Sequence, residues 1–291
     1  MERKLWKSLY VIIRFLDKRW GSWKYSTSDI LAVYLWAVVH DRPMSWATQA
    51  ENWPEDLKPK HFPSQSTLSR RMRRDDVWQL LTQVETTWLV VACMKDWWMH
   101  IIDAKGLPIG SVSKDADAGY GRCGRGMAKG YKLFVVWGKG PLPLAWALGP
   151  MNKSEKMAAR DLIPELPGCG YLVGDTEYDS NVLYDLAQKA DYQLVVRKRL
   201  PHSKGLGNHY QSPYRLRSID LLKRKFGKGL FRFQKQIERD FGNLTAFGGG
   251  LGPLPAWVRR FHRVRNWVQS KILINAVRWF QRNHPIALAI A

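Results

Sequence analysis

The sequence has few cysteines, no acidic residue in its last 46 positions and no apolar run long enough to cross a membrane. Its three cysteines, Cys93, Cys123 and Cys169, lie far apart, so their spacing favours neither a disulfide framework nor a zinc site. The longest uncharged apolar run is residues 30–39, ten residues where a membrane-spanning helix needs ~20. We therefore expect a cytoplasmic protein with no membrane partner.

Positive charge is what the sequence has in excess. It carries 46 Lys and Arg against 25 Asp and Glu, a formal net charge of +21, and 15 Trp within a 45% hydrophobic composition that can fill a core. Such a field attracts phosphate polymers, so nucleic acid is the expected partner. Residues 99–245 nevertheless keep 14 acids beside 24 basic residues. Carboxylates repel DNA unless a metal ion lies between them, so this stretch indicates chemistry rather than binding alone.

Residues 1–98 predict an all-α domain. A serine that can cap a helix at 64 or 66 is followed by a helical segment up to residue 74. One face of this helix carries Thr67, Arg70, Arg71 and Arg74, and another carries Leu68 and Met72. The pattern suits the DNA-recognition helix of a helix-turn-helix domain. A solvated basic helix on a helical bundle is the alternative.

Residues 99–247 predict an α/β domain with a mixed sheet. The predicted order is a strand ending at 103, a hairpin at 131–137 and 142–148, a helix at 154–166, a strand at 170–175, a helix at 181–189, a strand at 192–196 and a helix at 231–247. We expect a basic insertion at about 198–230, because that stretch is polar and rich in glycine. For residues 248–291 we expect a basic C-terminal helix. We expect this helix to lie along DNA, to pack its apolar side on the α/β domain, or to do both.

Three acids stand where metal-dependent phosphodiester chemistry would need them. Asp103 and Asp175 each end an apolar strand, and Glu238 lies in a helical segment beside Lys235 and Arg239. Two divalent ions held by such carboxylates activate an attacking oxygen and stabilise the leaving one. Each acid also has an ordinary interpretation: a turn residue, a helix cap or a surface ion pair.

Taken as an ordered set, several segments resemble bacterial insertion-sequence transposases that carry an Asp-Asp-Glu (DDE) triad. Leu-Val-Gly-Asp-Thr-Glu-Tyr-Asp-Ser at 172–180 looks like their second-Asp motif, and Ile-Ile-Asp at 101–103 is similar to their first-Asp strand. Lys-Gly-Tyr-Lys-Leu at 129–133 resembles the strand that follows the first Asp. Gln-Ile-Glu-Arg-Asp-Phe-Gly at 236–242 resembles the helix of the catalytic Glu, and 62–71 resembles the DNA-binding helix.

The resemblance implies a ribonuclease-H-like (retroviral-integrase-like) mixed sheet flanked by helices. It implies that Asp103, Asp175 and Glu238 are the catalytic residues and hold two Mg²⁺ ions, with Mn²⁺ as a substitute. The implied reaction is cleavage at the transposon ends followed by strand transfer into target DNA, by a homodimer on double-stranded DNA that associates with the nucleoid. A non-catalytic DNA-binding regulator and a structure-specific nuclease of the same fold are the alternatives.

The sequence departs from the family pattern near Glu238. A common signature has Tyr seven residues and Arg four residues before the Glu, where this chain has Phe231 and Gln234. Lys235 and Arg239 are candidates for the missing cation. The further side chains that we expect to contact DNA are Lys132, Arg197, Lys198 and Arg199, with a solvated lysine as the alternative for the first. The glycine-rich stretch 122–126 lacks the Gly-Lys-Ser/Thr ending of a phosphate loop, so we expect no nucleotide cofactor.

Overall fold

The computed structural model describes residues 2–17, 24–92, 98–124, 126–199, 206, 210–247 and 250–283. The chain divides into two compact units. A helical unit comprises residues 1–92, 244–251 and 257–291, and an α/β unit comprises residues 93–243 and 252–256.

The helices and strands are numbered in chain order. The helices are α1 (Glu2–Leu16), α2 (Thr27–Val39), α3 (Met44–Ala47), α4 (Gln65–Arg71), α5 (Asp75–Ala92), α6 (Glu155–Leu162), α7 (Asn181–Lys189), α8 (Pro213–Lys223), α9 (Lys225–Arg232), α10 (Gln234–Gly242) and α11 (Phe261–Asn283). The strands are β1 (Met99–Pro108), β2 (Gly119–Cys123), β3 (Gly126–Trp137), β4 (Pro143–Pro150), β5 (Gly170–Val173) and β6 (Tyr192–Val195). None of the helices in the described ranges combines the length and the apolar character that crossing a bilayer requires.

The helical unit is built around α2. A capping box starts this helix: the Ser26 hydroxyl accepts from the Asp29 N–H (3.0 Å), and the Asp29 carboxylate accepts from the Ser26 N–H (3.2 Å). Because α2 is apolar on nearly every side, it is covered on all of them, with α1, α5 and α11 packed around it.

The C-terminal helix differs from the sequence prediction. α11 is not a separate segment but belongs to the helical unit, where it packs against α1, α2 and α5. Its middle is buried, and polar side chains reach inward from it: Asn266 donates to the Met72 carbonyl (3.0 Å), and Lys271 Nζ donates to the Val38 carbonyl (3.1 Å) and to Asp41 (2.5 Å). These bonds satisfy groups that burial would otherwise penalise. The positive charge of Lys271 is therefore used inside the unit and is not presented to DNA.

The α/β unit contains one mixed sheet in the order β2-β3-β1-β5-β6, with β4 also paired to β3. β3 pairs antiparallel with β1, β2 and β4, and the hairpin predicted at 131–148 is confirmed as β3 and β4. β5 is parallel to both β1 and β6. Helices α6 and α7 pack on one face, with Phe134, Leu172 and Leu183 in the shared core, whereas Leu230 of α9 packs with Met99 and Val195 in a second cluster.

Two sequence boundaries need correction. β1 does not end at Asp103; it continues to Pro108 because residues 101–108 pair with β3. The stretch predicted as an insertion at about 198–230 is structured from Pro213 onward, where α8 and α9 form, and the Ser218 hydroxyl accepts from the Val196 N–H (3.3 Å). Residues 200–205 and 207–209 of that stretch lie outside the described residues.

Candidate active site

The candidate site lies where β5 stops and its neighbour β1 continues. The parallel pairing of the two strands ends at Ile101 and Val173, after which β5 turns through Gly174 into Asp175. Asp103 follows Ile101 by two residues, just as Asp175 follows Val173 by two. The register therefore brings the two aspartates to the same level, at the carboxyl end of β5, where open α/β sheets place their ligands.

Three carboxylates converge there. Oxygen atoms of Asp103, Glu155 and Asp175 all lie within 4.8 Å of one another, and each side chain is half-buried. Glu155 is the first residue of α6. The residue before it, Ser154, makes no side-chain hydrogen bond that caps the helix. Two ionised carboxylates at this separation repel by roughly 3 kcal/mol at an effective dielectric constant of about 20, so the arrangement calls for a cation.

The electrostatics of Asp103 reflect this crowding. Burial raises the pKa of Asp103 to about 7; the Ala104 N–H, which donates to Oδ1 at 2.7 Å, opposes the rise, and the charges of Asp175, Glu155 and Glu238 add to it. Burial also raises the pKa of Asp175, and the Glu177 N–H, which donates to Oδ1 at 2.9 Å, opposes that rise. Aspartates whose pKa is raised by burial beside other acids are typical of a functional site.

Lys132 provides one positive charge beside the group. Its Nζ lies 3.2 Å from a carboxylate oxygen of Glu155, and both side chains are largely buried. With the three acids ionised, this lysine compensates one charge and leaves two, which is the charge of one divalent cation.

Tyr178 places a buried hydroxyl next to the acids. The side chain is 1% exposed, and among the described residues its hydroxyl makes no hydrogen bond of ordinary geometry, although Glu155 lies close enough to interact with it. Burial raises the pKa of Tyr178 well above its ordinary value, and the charges of Glu155, Asp103 and Asp175 raise it further. Buried hydroxyls are normally hydrogen-bonded, and Glu155 is the acid within reach of this one.

A buried ion pair between Arg215 and Asp179 anchors the segment that follows Asp175. The Arg215 guanidinium donates to both oxygens of Asp179 at 2.7 Å, and the Arg199 N–H donates to the same carboxylate at 3.0 Å. Lys156 Nζ donates to the Asp179 carbonyl (3.2 Å). These bonds keep the Asp179 pKa below its ordinary value and fix the turn at 176–178 against α6 and α8.

One family comparison identifies the domain in which this site lies. The family model described as "Transposase DDE domain" matches residues 99–263, more than half of the chain and all of the acids discussed above. The chain belongs to the transposase DDE domain family. No curated protein and no solved structure matches the chain. The resemblance drawn from the sequence is confirmed, and membership implies a metal-dependent enzyme that acts on DNA. The mixed sheet with its helices is compatible with the ribonuclease-H-like fold of such transposases.

In this DDE domain the compact acidic group includes one residue that the sequence analysis missed. Glu155 is the third member of this group, together with Asp103 and Asp175. Glu238 does not belong to the set of acids whose oxygen atoms lie within 4.8 Å of one another. Glu238 is exposed on α10, which packs against β1, and it is near enough that its charge raises the pKa of Asp103. Glu155 begins a helix, and an acid in the first turn of a helix usually stabilises the helix N-terminus, so its position did not single it out.

The predicted DNA contacts fall into two groups. Arg70, Arg197, Arg199, Lys235 and Arg239 are exposed, although Arg197 stacks on the Phe231 ring (4.1 Å) and Arg199 lies 3.9 Å from Glu177. Arg74 is also exposed and lies 3.1 Å from Asp76. Thr67 and Lys198 are half-buried, and Lys132 is paired with Glu155 as described.

Arg71 does not fit the predicted basic face. It is 6% exposed, and its guanidinium donates to the Tyr25 carbonyl (3.1 Å), the Thr27 hydroxyl (3.2 Å) and Asp76 (3.2 Å). Helical spacing placed it with the other cations, but the packing of α4 against α2 turns it inward. Arg71 is therefore a structural residue of the helical unit and not a DNA contact.

Proposed function

We propose that the chain is an active DNA transposase that performs Mg²⁺-dependent cleavage at transposon ends and strand transfer into target DNA. The observation that carries the proposal is the convergence of Asp103, Glu155 and Asp175 inside the family match. Because strand transfer requires two ends held together, the proposed working form is a homodimer on double-stranded DNA, associated with the nucleoid.

The site fits a divalent cation by its donors. Three carboxylates leave two negative charges after Lys132 is counted, and the buried hydroxyl of Tyr178 borders them. Carboxylate oxygens are the ligands that Mg²⁺ prefers, with Mn²⁺ as a substitute. When bound, a pair of such ions supplies an activated oxygen nucleophile and stabilises the leaving oxygen. We propose that Asp103 and Asp175 hold both ions, Glu155 completes one set of ligands and Glu238 the other.

The remaining residues of the site have proposed roles of their own. Lys132 limits the repulsion among the acids, and Tyr178 donates its hydroxyl to orient them. Arg197, Lys198 and Arg199 follow β6 and lie on the segment that Asp179 ties to the Asp175 turn. We propose that they contact the DNA backbone beside the scissile phosphate, together with Lys235 and Arg239 of α10.

For the helical unit we propose the helix-turn-helix role. α4 begins with the Ser64 hydroxyl accepting from the Thr67 N–H (3.2 Å) and packs on α2 and α3. Thr67, Arg70 and Arg74 form the proposed DNA-facing side, now without Arg71.

A cleavage assay tests the proposal. Duplex DNA that borders the gene, incubated with the protein and Mg²⁺, should be nicked and joined to a target plasmid. Asp175→Asn should abolish nicking and keep DNA binding, because it removes a ligand charge and leaves the basic surface intact. Nicking by this variant at the wild-type rate would refute the acidic site. Cleavage without joined product would favour the structure-specific nuclease, and binding without cleavage would favour the regulator.

A second comparison tests the third acid. Glu155→Gln and Glu238→Gln should each lower Mg²⁺-dependent nicking at least about tenfold, and the exposed Glu165→Gln should leave it unchanged. Loss only with the Glu155 variant would assign the triad to the compact group, and loss only with the Glu238 variant would assign it as the sequence predicted.

A further inference from the structure

A large groove opens in the helical unit, and none of the residues proposed above to hold metal or contact DNA lines it. It lies between α1 and the segment 56–61, has a volume of about 1160 Å³, and is floored by Trp6, Tyr10 and Tyr25. Trp6 and Tyr10 stack at 4.8 Å, and the Tyr25 hydroxyl donates to the Phe62 carbonyl (2.9 Å), so the floor is fixed in place.

The pattern of α1 directs cations into this groove. Leu5, Leu9 and Ile13 are fully buried against the rest of the unit, which leaves Lys4, Lys7 and Arg14 on the outer side as lining residues. The opposite wall adds Lys58 and Lys60.

The groove is strongly positive. Six Lys and Arg line it against two carboxylates, Asp29 and Asp56. Lys7 lies 3.3 Å from Asp56, in an exposed pair of the kind that contributes ~0–1 kcal/mol and yields readily to another anion. Lys4 and Lys60 are exposed and form no ion pair with any described residue.

We propose that this groove binds the phosphate backbone of double-stranded DNA, as a contact separate from α4; the proposal rests on the proposed function for its choice of polyanion. From Lys4 to Arg14 the axis of α1 advances about 15 Å, which equals the rise of roughly four nucleotides of one strand measured along the axis of the duplex. Cations on both walls hold a chain of regularly spaced negative charges better than a single small anion.

A salt titration tests the proposal. The variant Lys4→Gln/Lys60→Gln removes two exposed charges without disturbing the floor. Its matched control is Lys189→Gln/Lys223→Gln, two exposed lysines of the α/β unit. Binding of a 30-base-pair duplex is measured by fluorescence anisotropy between about 50 and 200 mM KCl, with EDTA to prevent cleavage. Each lost phosphate contact lowers the slope of log K against log salt by about 0.9, so the variant should lose about 1.8, and the control should match the wild type.

Two results would overturn the proposal. One is a slope and affinity of the Lys4/Lys60 variant equal to those of the control. The other is unchanged DNA binding together with lost binding of polyglutamate, which would assign the groove to an acidic protein. Because the titration needs no catalysis, failure here leaves nicking through Asp175 intact. Conversely, an inactive acidic site leaves this titration unaffected.

Discussion

Replacing Asp103 with Asn should have opposite effects with and without metal. The carboxyl group has its pKa raised from 3.8 to about 7 in the folded protein, mainly by burial. That difference corresponds to an upper bound of roughly 4 kcal/mol against the ionised form. The amide carries no charge, so we expect the metal-free variant to be more stable than the wild type by at least about 1 kcal/mol at pH 8. For a unit of this size that is a rise of roughly 2–4 °C in the unfolding midpoint.

The pH dependence fixes the sign of the effect. A raised acid pKa means that the folded state binds more protons than the unfolded state between pH 3.8 and about 7, so wild-type stability is lost as pH rises through that window. The advantage of the variant should therefore be absent near pH 4 and complete above pH 7. Added Mg²⁺ should raise the midpoint of the wild type and leave that of the variant unchanged.

Thermal unfolding followed by circular dichroism with EDTA or Mg²⁺ measures both effects. The control is Asp161→Asn, an exposed acid of α6 in a surface pair with Lys153, which should change stability by less than about 0.5 kcal/mol. A metal-free Asp103→Asn protein that unfolds below the wild type at pH 8 would refute the account of repulsion and burial.

Three further substitutions have distinct expected outcomes. Arg71→Met should destabilise the helical unit by about 3–5 kcal/mol in thermal unfolding, because it leaves buried acceptors unpaired. The control Arg70→Ala should change stability by less than about 0.5 kcal/mol and should weaken DNA binding. Equal effects of the two substitutions on stability would contradict the inward placement of Arg71. Asp179→Asn should cost roughly 3 kcal/mol by removing the charge that pairs with Arg215, and a neutral result in the same assay would show that the pair does not fix the turn. Tyr178→Phe should weaken Mn²⁺ binding by calorimetry about tenfold or more, since it removes the buried hydroxyl that we propose orients the acids; unchanged Mn²⁺ affinity would remove Tyr178 from the site.

The sequence predicted the acids that strand geometry brings together. Asp103 and Asp175 each follow an apolar run, and parallel pairing of two such runs aligns their ends, so sequence position was enough to associate them. Glu155 was missed because its approach depends on how α6 packs on the sheet. That packing sets a side-chain position that no local pattern in the sequence encodes.

Burial of charge was the other feature that composition did not predict. Lys271 and Arg71 belong to basic stretches that read as DNA-facing, yet both are buried and bonded to carbonyls and carboxylates of their own unit. The helical period shows which residues share a face of a helix. Which face packs inward depends on the apolar area that the whole helix and its neighbours can bury there. In α11 that area surrounds Lys271, and its ammonium is paired with Asp41 at the end of α2.

Anomalous scattering from crystals soaked in Mn²⁺ tests the central claim most directly. The account predicts an Mn²⁺ peak within coordination distance of both Asp103 and Asp175, with Glu155 or Glu238 as a further ligand, and no such peak in Asp175→Asn crystals. Crystals that show no peak between Asp103 and Asp175, or an equal peak in the variant, would contradict an acidic metal site at the end of β5.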